Sequence, residues 1–129
     1  MKENRYFVRN VLPALLWGGL IFVESSIPGK TLPATPVGTD KLAHIAIYFV
    51  FCWLSFRALR RSPSFLLSKM SPFLAVVVTV LYGFSDEFHQ LYVPGRSADM
   101  FDLAADAAGG ILFIALMMVA RRKNTSSTH

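Results

Sequence analysis

The side chains able to do chemistry fall into three short stretches of this chain. The first holds Lys41, His44, Tyr48 and Cys52, spaced three, four and four residues apart. That spacing sets them on one face of a helix. The second holds Tyr82, Asp86, Glu87 and Gln90; Tyr82 lies four residues before Asp86, Asp86 four before Gln90, and Glu87 three before Gln90. The third holds Asp99, Asp102 and Asp106, again a single helical stripe, with Arg96 in the turn before it. His44, Asp86, Glu87 and Asp106 are oxygen and nitrogen donors suited to a divalent metal such as Mg²⁺, Mn²⁺ or Zn²⁺. His44, Glu87 or Asp86 is also the candidate general base of a hydrolase or transferase. Lys41 and Arg96 are the cations available to a phosphate or carboxylate. The adjacent Asp86-Glu87 pair matches no standard metal motif. The competing reading is structural: carboxylates neutralised by Lys41 and Arg96, Asp99 capping a helix start, and Tyr48 and Tyr82 packing with satisfied hydroxyls. Cys52 is alone, so no internal disulfide or cysteine zinc site can form.

These stripes need helices to hold them, and the rest of the chain supplies four. A membrane helix takes ~20 mainly apolar residues to cross a ~30 Å core. Spans are expected at about 6–25, 41–59, 72–93 and 99–120, within a single domain of 129 residues. Pro72 suits the first turn of the third span, and Asp106 is the charge inside the apolar part of the fourth. The links are rich in helix breakers: Pro28, Gly29, Pro33, Pro36 and Gly38 in the first, Pro63 in the second, Pro94-Gly95 in the third. A short polar tail, Asn124–His129, follows. Gly18-Gly19 and the Gly109-Gly110 region, with its alanines, offer surfaces for close helix approach. The fold class expected is therefore all-α, a four-helix transmembrane bundle.

Charge sets the orientation. With both termini in the cytoplasm, ten basic residues lie inside and Lys30, Lys41 and Arg96 lie outside. That bias obeys the positive-inside rule. The acids run the other way, with Glu3 alone on the inner side. A cleaved signal peptide would leave three helices, but Glu24-Ser25-Ser26-Ile27-Pro28 is a poor cleavage site. An ionised carboxylate near the membrane centre costs about 3 kcal/mol even on insertion scales. The acidic stripes must therefore face one another or a wet cleft near the outer surface, where His44 and Lys41 meet them.

Composition narrows the class further. The chain is 53% hydrophobic and 16% charged, with mean hydropathy +0.46. A soluble domain carries about a quarter charged residues. The net charge of +5 sits between apolar runs and at both ends, not in a stripe interleaved with aromatics, which argues against nucleic acid. A proton pathway would need acids through the full thickness, and the inner halves of the spans offer none.

Asp40-Lys41-x-x-His44-x-x-x-Tyr48 resembles one signature block of the VanZ-like family of small bacterial membrane proteins. Tyr82-Gly83-x-x-x-Glu87-x-x-Gln90-x-x-x-Pro94-Gly95-Arg96-x-x-Asp99-x-x-Asp102, followed by Asp106 and Gly109, resembles the second. The similarity runs from Trp17 and Ser25-Ser26-x-Pro28 to Gly110. Asp106 departs from the family pattern, where asparagine is expected; the carboxylate admits coordination as well as hydrogen bonding. The family's namesake is associated with resistance to teicoplanin, a glycopeptide antibiotic with a fatty acyl tail. The resemblance implies a multi-pass protein of the bacterial cytoplasmic (inner) membrane. Its expected partner is a membrane lipid, a lipid-linked cell-envelope precursor or a lipoglycopeptide. The expected binding residues are Lys41, His44, Tyr48, Tyr82, Asp86, Glu87, Gln90, Arg96, Asp99, Asp102 and Asp106. The alternative is metal-assisted hydrolysis or transfer on a lipid-linked head group.

Overall fold

A computed structural model describes residues 2–36 and 38–126. The end of the expected polar tail, residues 127–129, lies outside the described residues. The helices are α1 (Lys2–Tyr6), α2 (Leu12–Ser25), α3 (Thr39–Arg60), α4 (Phe65–Lys69), α5 (Ser71–Gln90) and α6 (Met100–Ser126). A π-helical turn, Phe7–Val11, joins α1 to α2, so that Glu3–Ser25 is one continuous first span. This span, α3, α5 and α6 are each long and apolar enough to cross a membrane. The protein is thus an all-helical multi-pass membrane protein, with no strand among the described residues. Leu16, Leu20, Phe73, Leu81, Phe84 and Ile111 cover the outside of the bundle, the surface hydrocarbon would wet.

Several boundaries differ from the sequence reading, each for a local reason. The third span, α5, stops at Gln90 instead of 93, because Leu91–Gly95 folds into tight turns closed by Tyr92 N–H to His89 and Val93 N–H to Gln90 bonds. The link after Arg60 contains α4, whose first turn is capped by the Ser64 hydroxyl. The fourth span, α6, continues to Ser126, beyond the apolar run. The π turn was not expected. Side-chain donors serve carbonyls at and just before it: Arg57 donates to the Arg9 carbonyl (2.9 Å) and the Asn10 amide to the Tyr6 carbonyl (3.1 Å). Gly38 and Gly95 turn the chain at φ +88° and +75°, a region open to glycine.

Helix α3 is central. It packs most extensively on α6 and then α5, and α5 packs on α6, giving a tight three-helix core. The first span lies against α3 and α5 and, among the described residues, makes no helix contact with α6. Toward the basic end, Cys52, Ala75 and Phe113 are packed around by Phe49, Phe56 and Met117. Toward the acidic end the core is Ile21, Tyr48 and Phe51, with Trp17, Ile47 and Tyr82 against it.

Close approach in that core depends on missing side chains. A Cβ on Gly109 would strike the Ile45 carbonyl and come within 2.9 Å of the Phe49 nitrogen. Both are backbone atoms that cannot swing aside. Gly109→Ala is therefore expected to destabilise the bundle by on the order of 1 kcal/mol, overpacking outweighing the better helix propensity of alanine. Gly19 has open space around it, contrary to the interface expected there, and Gly19→Ala should leave stability unchanged or slightly raised, by the propensity gain alone. Thermal unfolding of the two variants in detergent checks the contrast.

Candidate functional site

The first turns of α3 and α6 meet at the acidic end, and Lys41 joins them. Its ammonium lies 3.1 Å from Asp40 and 2.9 Å from Asp99, and it also bonds Asp102. Asp99 works in two directions. One carboxylate oxygen takes Lys41, and the other accepts the Phe101 N–H at 2.8 Å, closing the start of α6. This is the cap expected from its position. The Lys41 ammonium, followed by that N–H, holds the Asp99 carboxyl below the usual carboxylate range. The Asp99 backbone N–H in turn donates to Glu87 Oε2 at 2.8 Å, tying α5 to the start of α6.

One turn deeper lies a second tier. His44 Nδ1 is 2.7 Å from Asp106 Oδ1. With Asp106 ionised, Nδ1 carries the hydrogen of this contact, and Nε2 keeps a lone pair where the imidazole is neutral. Nε2 lies 3.9 Å from Asp102 Oδ2. Asp106 is fully buried, and its other oxygen, Oδ2, has no hydrogen-bond partner; nor has Glu87 Oε1. Gly83 makes room for Asp106, since a Cβ there would come within 2.8 Å of Oδ2. His44, Glu87 and Asp106 each offer a donor atom, and these atoms all lie within 4.8 Å of one another.

Asp86 takes a separate path. It accepts the Tyr48 hydroxyl at 3.2 Å and lines a cavity of about 430 Å³ between the first span and α3. One wall is apolar: Trp17, Leu20, Ile21, Leu32, Pro33, Ala43 and Ile47. Glu24, Asp40, His44, Tyr48, Asp86 and Arg96 supply the polar part. The loose fit of the first span leaves this space. Trp17 is anchored beside it by donating its indole N–H to the Ile47 carbonyl at 3.0 Å.

Lys41, His44, Glu87, Asp99, Asp102 and Asp106 are therefore brought into one network, with Tyr48 and Asp86 adjoining it. Asp86 is not part of the three-residue metal-type group, although the sequence made it a candidate ligand. Tyr82 leaves the group: its hydroxyl donates to the Gly18 carbonyl at 2.5 Å and its ring packs 4.8 Å from Phe51. Gln90 is buried at the end of α5. Arg96 clamps a carboxylate, but the one it reaches is Glu24 (3.1 Å), and it also bonds the Ile27 carbonyl. Glu24 and Trp17 escaped the sequence reading as site residues. Glu24, an acid closing an apolar span, was the one available signal. His89 stays apart, on Ser26 and the Phe22 ring.

A family model described as VanZ/LLP1 matches residues 7–121. No curated protein and no solved structure matches the chain.

Proposed function

The chain belongs to the VanZ/LLP1 family, and from that premise we propose that its cavity binds an amphiphilic molecule of the bacterial cell envelope. The site lies at the outer leaflet of the cytoplasmic membrane, with both termini in the cytoplasm. The observation that carries this reading is the two-faced cavity between the first span and α3. Its apolar wall suits an acyl or prenyl chain, and His44, Asp86 and Arg96 stand where a polar head would lie. The excess of basic residues at the opposite end supports the orientation. A lipid-linked precursor or a lipoglycopeptide of the teicoplanin type has the required combination of apolar tail and hydrogen-bonding head.

Trp17 lines the cavity and reports on it. Protein in nanodiscs with Trp53→Phe should give a saturable change in Trp17 fluorescence when titrated with a polyprenyl phosphate or with teicoplanin. His44→Ala is expected to weaken that binding about tenfold or more, as removal of a central polar anchor does. Absence of a saturable signal with both compounds defeats the reading. So does unchanged affinity in the His44 variant.

A further inference from the structure

We propose that His44, Glu87 and Asp106 form a divalent-cation site, of the kind that takes Mn²⁺ or Zn²⁺. The three side chains come from three different helices, α3, α5 and α6, and their donor atoms lie within 4.8 Å of one another. Each carboxylate spends one oxygen on the protein and keeps the other. Glu87 Oε2 accepts the Asp99 N–H and Asp106 Oδ1 pairs with His44 Nδ1. Glu87 Oε1 and Asp106 Oδ2 are buried without a partner. Both residues are at least nine-tenths buried, at 5% and 0% exposure. Two buried carboxylate oxygens without partners, within one group of three residues, call for a cation or a shared proton.

Lys41 does not meet that demand, because Asp40, Asp99 and Asp102 already surround its ammonium. His44 Nδ1 and Asp106 Oδ1, 2.7 Å apart, have the spacing of two ligands on one cation, which Nδ1 can bind once its proton has left to solvent. One imidazole with two carboxylates favours Mn²⁺ or Zn²⁺ over the all-oxygen sites of Mg²⁺ and Ca²⁺. Three protein ligands leave coordination positions open. His44 also lines the cavity, so a bound cation would stand behind the place assigned above to the polar head, ready to take one of its oxygens. The cation site itself requires no ligand in the cavity, and its test uses none.

The experiment takes the full chain in nanodiscs, stripped with chelator and titrated with Mn²⁺ alone. The expected result is about one Mn²⁺ per chain, displaced by Zn²⁺, with nitrogen coupling in the pulsed EPR spectrum. His44→Ala should abolish that coupling, and Glu87→Gln and Asp106→Asn should each weaken binding about tenfold or more. No binding at millimolar Mn²⁺ overturns the proposal and leaves a shared proton as the answer. Binding without nitrogen coupling, or binding that all three variants retain, overturns it as well. Should a variant fail to fold, the stoichiometry and nitrogen coupling of the wild-type chain decide. Amphiphile binding with no Mn²⁺ binding would sink the cation site and spare the cavity.

Discussion

Lys41→Met is expected to destabilise the protein by about 1–2 kcal/mol. That is well below the loss from breaking a fully buried pair, because the lysine side chain is 32% exposed and water screens the cluster. The size follows from what remains after the change. Asp40, Asp99 and Asp102 keep their positions at the tops of α3 and α6 and lose the cation that all three approach. Their mutual repulsion then acts at the junction through which α3 packs on α6. Thermal unfolding in detergent measures the effect. Asp102→Asn added to Lys41→Met should return part of the loss, since the least exposed of the three charges is then gone. A Lys41→Met midpoint within error of the wild type would mean that water, not lysine, screens these acids.

The same variant should change the acid limb of the stability profile. Asp99 titrates below its ordinary value of 3.8 because Lys41 stands beside it. A carboxylate with a depressed folded pKa contributes stability above the unfolded value. That contribution fades as pH falls through the lower, folded one. Without Lys41 the depression shrinks, and so should the part of the acid loss that belongs to Asp99.

The membrane helices were legible because hydrocarbon imposes both a length and a composition, and Pro28, Pro36 and Pro94-Gly95 punctuate them plainly. The meeting of Lys41 and His44 with Asp99, Asp102 and Asp106 was legible for a related reason. Buried carboxylates have few places to go, and helical spacing states which face they share. Tyr82 shows where that reasoning stops. Spacing put it on the face of Asp86, yet its long side chain reaches across to the Gly18 carbonyl of the first span. The cavity was invisible for the same reason. Periodicity within one helix carries no information on how far apart two helices stand, and it is the slack between the first span and α3 that brings Trp17 and Glu24 to the site. The π turn at Phe7–Val11 depends on donors from Arg57 and the Asn10 side chain. No local pattern announces them.

Asp106→Asn should move stability the opposite way from Lys41→Met, although both residues belong to one network. In chelator, the variant is expected to be more stable than the wild type by about 1–3 kcal/mol, the usual penalty of an unpartnered buried polar group. The amide keeps an oxygen for the His44 Nδ1–H and removes a fully buried charge. It also places an N–H donor where Oδ2 now has no partner. Added Mn²⁺ should reverse the order. A cation at one hundred times its dissociation constant stabilises the folded state by about 2.7 kcal/mol, and only the wild type retains the full donor set. Thermal midpoints of both proteins, with chelator and with Mn²⁺, therefore should cross. If Asp106→Asn lowers the midpoint in chelator, Asp106 is held as one half of an ion pair with a protonated His44, and its free oxygen carries no unmet demand. If the midpoints keep the same order in both conditions, the carboxylate gains nothing from the cation, and its burial needs another cause.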